Sequence, residues 1–172
     1  MNNIVVYNQR LNDKYNILGF HSSNLSKKAK PGNFLMLNTN INKNITDPLL
    51  RRAFAICNIK DDIVYILYKV IGKGTKNLTY YKNGDVIVSS DILGNSFNLG
   101  YTNKKIALIA GGIGIAPLLF LIKYIDKSNV IDLYYGGKSS NDICLVDIII
   151  SFNSFNTLNS STKHISLLDF PP

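Results

Sequence analysis

The stretch Ile106-Ala107-Leu108-Ile109-Ala110-Gly111-Gly112-Ile113-Gly114-Ile115-Ala116-Pro117 decides the fold class. Its apolar opening reads as a buried strand, its glycines as a tight turn, and Pro117–Ile125 as a helix that opens on proline. In α/β proteins this order of strand, glycine turn and helix start presents backbone N–H groups to a phosphate. A second strand, Val130–Tyr135, ends in Gly136-Gly137-Lys138, completing a βαβ unit and implying a parallel sheet. The turn departs from a full dinucleotide fingerprint. Gly112 and Gly114 fill the first two glycine positions, but Pro117 stands at the third and no acidic residue ends the second strand. An ordinary dehydrogenase fold is therefore disfavoured. Two readings stay open, phosphate binding at the helix start and a purely structural turn.

Upstream, to about Leu99, the pattern is β. Ile4–Tyr7, Tyr15–Phe20, Asn33–Leu37, Phe54–Ile59, Ile63–Ile71 and Asp85–Ser89 are short runs rich in β-branched and aromatic residues. Turn chemistry separates them at Lys30-Pro31-Gly32, Asn38–Pro48, Lys60-Asp61-Asp62 and Asn83-Gly84. Strands at this spacing argue for a small antiparallel barrel or sandwich. The change of period near Gly100–Asn103 sets the expected boundary between a β-domain, 1–100, and an α/β domain, 104–172. In the tail, Ser151–Thr162 shows little periodicity and Lys163–Phe170 reads as a third strand. So small a parallel sheet leaves an apolar edge, which implies either a shortened chain or a partner that covers it.

The bulk properties are those of a folded globular chain. Its 172 residues are 46% hydrophobic and 17% charged. A net charge of +8 admits an anionic ligand, an acidic partner or nucleic acid. The lysines are scattered through a chain equally rich in Asn, Ile and Tyr, so biased composition explains the charge and no nucleic-acid surface is expected. Arg10, Arg51 and Arg52 are the only arginines. The adjacent pair is either a bidentate anion fork, which lysine cannot supply, or a solvated surface pair. Arg52 and Phe54 share a strand face, so Phe54 reads as an aromatic platform beside a gripped phosphate. Gly72-Lys73-Gly74-Thr75 is either a second phosphate cradle or a hairpin turn. Cys57 and Cys144 fit no metal spacing and read as buried thiols, so no metal site is expected. No signal-like opening and no run of membrane-spanning length is present, and the chain reads as cytoplasmic with no membrane contact.

Together these segments resemble the ferredoxin reductase-type flavoproteins, and closely the electron-transfer subunits of class B dihydroorotate dehydrogenases. The resemblance is carried, in the family's order, by Pro31–Leu37, Asp47–Ile56, Tyr68–Thr75, Leu93–Phe97 and Gly111–Pro117. It implies an antiparallel FAD-binding β-barrel followed by a partial Rossmann-like α/β domain that binds NAD. It further implies that Arg52 contacts the FAD phosphates and that Ala53, Phe54 and Ala55 run beside the flavin. Leu67, Tyr68 and Lys69 would line FAD, and Gly74 with Thr75 would bind its pyrophosphate. Gly111, Gly112 and Gly114 would face NAD, with Gly136, Gly137 and Lys138 near its ribose. The implied partner is an FMN-containing catalytic dihydroorotate dehydrogenase subunit in a heterotetramer, and the implied role is electron transfer to NAD⁺ in pyrimidine (UMP) biosynthesis.

The chain departs from the family at several points. Ala55 replaces a Ser or Thr, Ala53 replaces a Pro, and the nucleotide domain beyond the third strand is missing. The family's four clustered cysteines, which hold a [2Fe–2S] cluster, are also absent; Cys57 and Cys144 do not match them. These departures keep two alternatives open, a stand-alone NAD(P)H-dependent flavin or ferredoxin reductase and a shortened, non-catalytic binding subunit.

Overall fold

The computed structural model describes residues 1–40 and 47–145, together with the backbone of 164–169. Strands β1 (Asn2–Arg10), β2 (Tyr15–His21), β3 (Phe34–Asn38), β4 (Arg52–Lys60), β5 (Ile63–Lys69) and β6 (Val86–Ser89) close an antiparallel barrel. Their order around it is β1-β2-β5-β4-β3-β6. Two six-residue helices, α1 (Ser23–Lys28) and α2 (Lys73–Leu78), lie in the connections and bury Leu25 and Leu78 against the barrel interior.

The period-2 alternation of strands sorts the barrel residues onto two faces. Leu18 and Phe20 of β2, Phe54 and Ile56 of β4, and Val64, Ile66 and Tyr68 of β5 fill the interior. Tyr15, Ala55, Cys57 and Leu67 take the opposite register and pack outward into a second apolar cluster. Each large apolar side chain so buried stabilises the fold by roughly 1.5–3 kcal/mol. A barrel strand exposed to water on its outer face would be polar there. The outer faces of β2, β4 and β5 are apolar because a second layer covers them.

That layer is a parallel sheet, β7-β8-β9, built from β7 (Lys105–Gly111), β8 (Val130–Gly137) and β9 (His164–Asp169). A 3₁₀ turn, Gly112–Gly114, leads from β7 into α3 (Ile115–Ile122), and a second, Ser140–Asp142, follows β8. Helix α3 packs against β4 and sends Phe120, fully buried, into the barrel cluster. Between β6 and β7 the chain returns along the barrel edge, where Leu93 pairs with Phe34.

The structure moves several expected boundaries. The helix begins at Ile115 rather than Pro117 and ends at Ile122 rather than Ile125. Pro117 is tolerated inside its first turn because the N–H groups there have no acceptor within the helix. Strand β8 runs on through the glycine pair to Gly137, and β5 stops at Lys69 rather than Ile71. The hairpin reading of Gly72–Thr75 is overturned, because those residues open α2. Ser151–Thr162 and part of the Asn38–Pro48 turn lie outside the described residues. No helix among the described residues is long and apolar enough to cross a membrane.

Candidate functional site

Parallel pairing of β7 with β8 sets Gly111 directly beside Gly136. The glycine turn after β7 and the glycine end of β8 therefore stand together at the carboxyl ends of the strands, where open α/β sheets bind ligands. They line a cavity of about 450 Å³, the turn through Gly111, Gly112 and Ile113, the end of β8 through Gly136, Gly137 and Lys138. The barrel completes the wall with Tyr15 and Lys69, which are paired across β2 and β5. A Cβ at Gly111 would meet nothing within 4 Å, so that backbone is open to a ligand. Gly112 has φ +49°, and a Cβ there would lie 3.2 Å from the Tyr15 hydroxyl. Gly114 caps the start of α3 and is not among the cavity residues.

Asp142 joins this wall to the barrel. Its carboxylate accepts from Lys69 Nζ at 2.6 Å, from Lys14 Nζ at 2.9 Å and from Ser139 Oγ at 3.0 Å. Lys69 foremost, and Lys14 after it, hold the carboxyl well below the usual carboxylate range. Beneath it, a Cβ at Gly137 would come within 2.7 Å of Asp142 Cβ. This glycine is thus required by packing as well as available to a ligand. Lys69 also lies over the Tyr15 ring, 5.6 Å from its centroid.

A second cluster gathers where β4 begins. Gly74 of α2 packs so closely on its neighbours that a Cβ would lie 3.1 Å from Thr39 Oγ1 and 3.5 Å from Arg52 Nε. Thr39 is buried and its hydroxyl has no hydrogen-bond partner among the described residues. Arg52 is half-buried and donates from Nη1 to the Leu50 carbonyl at 2.7 Å. Thr75 Oγ1 accepts from the N–H groups of Ile71 and Gly72, at 3.0 and 3.2 Å, and donates to the Gly72 carbonyl. Its hydroxyl is thus engaged in capping α2. From Lys69 to Gly74 is five residues, so their Cα atoms stand at most ~18 Å apart.

One reading of this region is corrected by the strand register. Phe54 is not an open platform: its ring is 8% exposed, inside the barrel, edge-on to Tyr68 at 6.4 Å. Leu67, Tyr68 and Lys69 alternate between the two faces of β5. Tyr68 points into the barrel and bonds Asn8 Oδ1 at 3.1 Å, while Leu67 packs toward the sheet and Lys69 reaches the cavity. Ala53 is exposed and Ala55 is half-buried on the sheet side. Cys57 and Cys144 are buried free thiols, and burial raises the Cys57 pKa to about 12. Sequence reasoning missed Lys14, Tyr15, Thr39 and Asp142. None belongs to a motif, and each joins its cluster through strand pairing or a long-range contact.

No protein-family model matches the chain. It is similar to the dihydroorotate dehydrogenase B (NAD(+)) electron transfer subunit of Clostridium acetobutylicum, 38% identical over 139 residues, which cover 80% of this chain and 54% of that one. The corresponding subunit of Desulforamulus reducens is 33% identical over 129 residues, 72% of this chain and 47% of that one. The chain thus spans about half the length of the curated relatives it matches. Among solved structures, the NADH-dependent reduced ferredoxin-NADP oxidoreductase superposes with a TM-score of 0.74 at 23% identity, over 97% of this chain and 56% of that one. Ferredoxin-NADP⁺ reductase from Plasmodium falciparum does so with a TM-score of 0.80 at 16% identity, over 98% and 69%. These structural likenesses establish the fold, an antiparallel barrel followed by a parallel α/β sheet.

Proposed function

The chain belongs to the family of dihydroorotate dehydrogenase B electron transfer subunits, and from that premise we propose that it is a two-nucleotide electron carrier. It takes electrons from the FMN of a catalytic dihydroorotate dehydrogenase subunit and delivers them through FAD to NAD⁺, as part of a cytoplasmic heterotetramer in pyrimidine biosynthesis. In this reading 1–100 is the FAD-binding domain and 104–172 the NAD-binding domain. The observation that carries it is the pairing of Gly111 with Gly136, which sets the glycine turn after β7 beside the glycine end of β8, opposite a barrel lysine.

The residues fit these ligands. Arg52 supplies a bidentate cation for the FAD phosphates. The close approach at Gly74 and the unpaired Thr39 hydroxyl beside it suit a pyrophosphate at the opening of α2. Leu67, Lys69 and Ala55 lie on the sheet-facing side of the barrel, where a flavin would run. Ala55 offers it no hydroxyl. Gly111, Gly112, Gly136, Gly137 and Lys138 face the nicotinamide nucleotide. When bound, FAD supplies the redox chemistry, accepting electrons and returning them as hydride. A [2Fe–2S] cluster does not fit this sequence, since it takes four thiolates and the chain has two buried cysteines.

The purified full chain is expected to show a flavin absorption spectrum, or to acquire one with added FAD. Arg52→Ala should weaken FAD at least tenfold, since a charge-assisted bond of about 1.5–3 kcal/mol is lost. A colourless protein that takes up no FAD overturns the proposal. The two-cysteine sequence favours one rival, a reductase that works without a cluster or partner. Rapid oxidation of NADH by the isolated chain, with a dye as acceptor, would identify it.

A further inference from the structure

We propose that Tyr15 is a binding residue of the cavity between the glycine turn after β7 and the glycine end of β8, its hydroxyl donating a hydrogen bond to an oxygen of the bound nicotinamide nucleotide. The inference rests on the functional reading above and adds to it a side chain from the barrel.

Tyr15 is fully buried, yet its hydroxyl has no hydrogen-bond partner among the described residues. Buried polar groups are nearly always satisfied, and one left unpaired at a cavity points to a ligand. Tyr15 lines the 450 Å³ cavity, and its hydroxyl lies against the Gly111–Gly112 turn, 3.2 Å from where a Cβ at Gly112 would stand. The backbone that carries this side chain is also held. The Tyr15 N–H donates to Asn12 Oδ1 at 2.9 Å, and its carbonyl accepts from the Leu11 N–H at 2.9 Å. Across the strand pair, the Lys69 ammonium covers its ring.

The nearby carboxylate does not compete for the hydroxyl, because Asp142 is already bonded to Lys14, Lys69 and Ser139. Burial, reinforced by the charge of Asp142, raises the Tyr15 pKa to about 12. The group is therefore a protonated donor throughout the neutral range. What it suits is an acceptor oxygen close to backbone N–H groups and a lysine. In a nicotinamide nucleotide that oxygen belongs to the carboxamide or to the ribose phosphates.

The test compares the full chain with Tyr15→Phe by titrating NAD⁺, ADP-ribose and FAD separately and melting each protein without nucleotide. The variant should bind NAD⁺ about three- to tenfold more weakly, the loss of one neutral hydrogen bond. FAD affinity should hold, and the melting temperature should stay level or rise because an unpaired buried hydroxyl is gone. A parallel loss for ADP-ribose assigns the bond to a phosphate or ribose oxygen, and unchanged ADP-ribose assigns it to the carboxamide; both support the inference. Unchanged NAD⁺ affinity, with or without a lower melting temperature, overturns it, as does a loss confined to FAD. If the wild-type chain takes up neither NAD⁺ nor FAD, the functional reading falls together with the inference. If the wild-type chain binds NAD⁺ and the variant matches it, the inference alone falls.

Discussion

At the scale of single residues, the decisive property is which side of a strand a side chain occupies. Phe54 and Arg52 share a face, as their spacing requires, but at Phe54 that face is the barrel interior. Its ring sits edge-on to Tyr68 among Leu35, Ile56 and Ile66. Phe54→Ala should therefore cost about 3–5 kcal/mol of stability in a denaturant melt, the penalty for emptying a packed aromatic site. A loss under 1 kcal/mol would place the ring outside the core. Gly137 shows the opposite kind of constraint. It reads as a ligand contact in the sequence, yet the first thing a side chain would strike there is Asp142, part of the protein itself.

At the scale of elements, the segment Gly72-Lys73-Gly74-Thr75 has its meaning set by α2. A threonine three residues after Gly72 bonds back to the Gly72 N–H and so holds the helix start closed. Such a short helix has little propagation to stabilise it, so the cap matters. Thr75→Ala should lose about 1 kcal/mol in urea unfolding, and Thr75→Ser should keep most of it. Equal stability of all three proteins would show that the hydroxyl is not capping. Strand β8 illustrates how far an element can be read locally. Its apolar core was legible from Val130 to Tyr135, while its extension through Gly136 and Gly137 depends on pairing with β7 and β9, which no local preference of glycine suggests.

At the scale of the whole molecule, barrel and sheet are joined by a shared apolar layer and by the clasp of Lys14 and Lys69 on Asp142. Because Asp142 is held below its ordinary pKa, its contribution to stability is complete above about pH 3.9. That contribution is lost as the pH falls from there toward the lowered value. Asp142→Asn should remove this acid-range slope from the stability profile and speed hydrogen exchange at the barrel–sheet contact near neutral pH. An unchanged profile would show the clasp to be without weight. The sequence by itself determined the strands and their order, the helix after β7, the change from β to α/β near residue 100, the glycine turn after β7 and the relatives the chain resembles, but not the short helices α1 and α2. These follow from side-chain period, glycine and proline geometry and short motifs, all of which are local along the chain. Only the tertiary structure decided that Phe54 and Tyr68 turn inward, that Lys69 meets Asp142 across 73 positions, and that Tyr15 lies against Gly112. Barrel closure and parallel register bring together residues that the linear order keeps far apart, and strand pairing is set by what the opposite faces must bury.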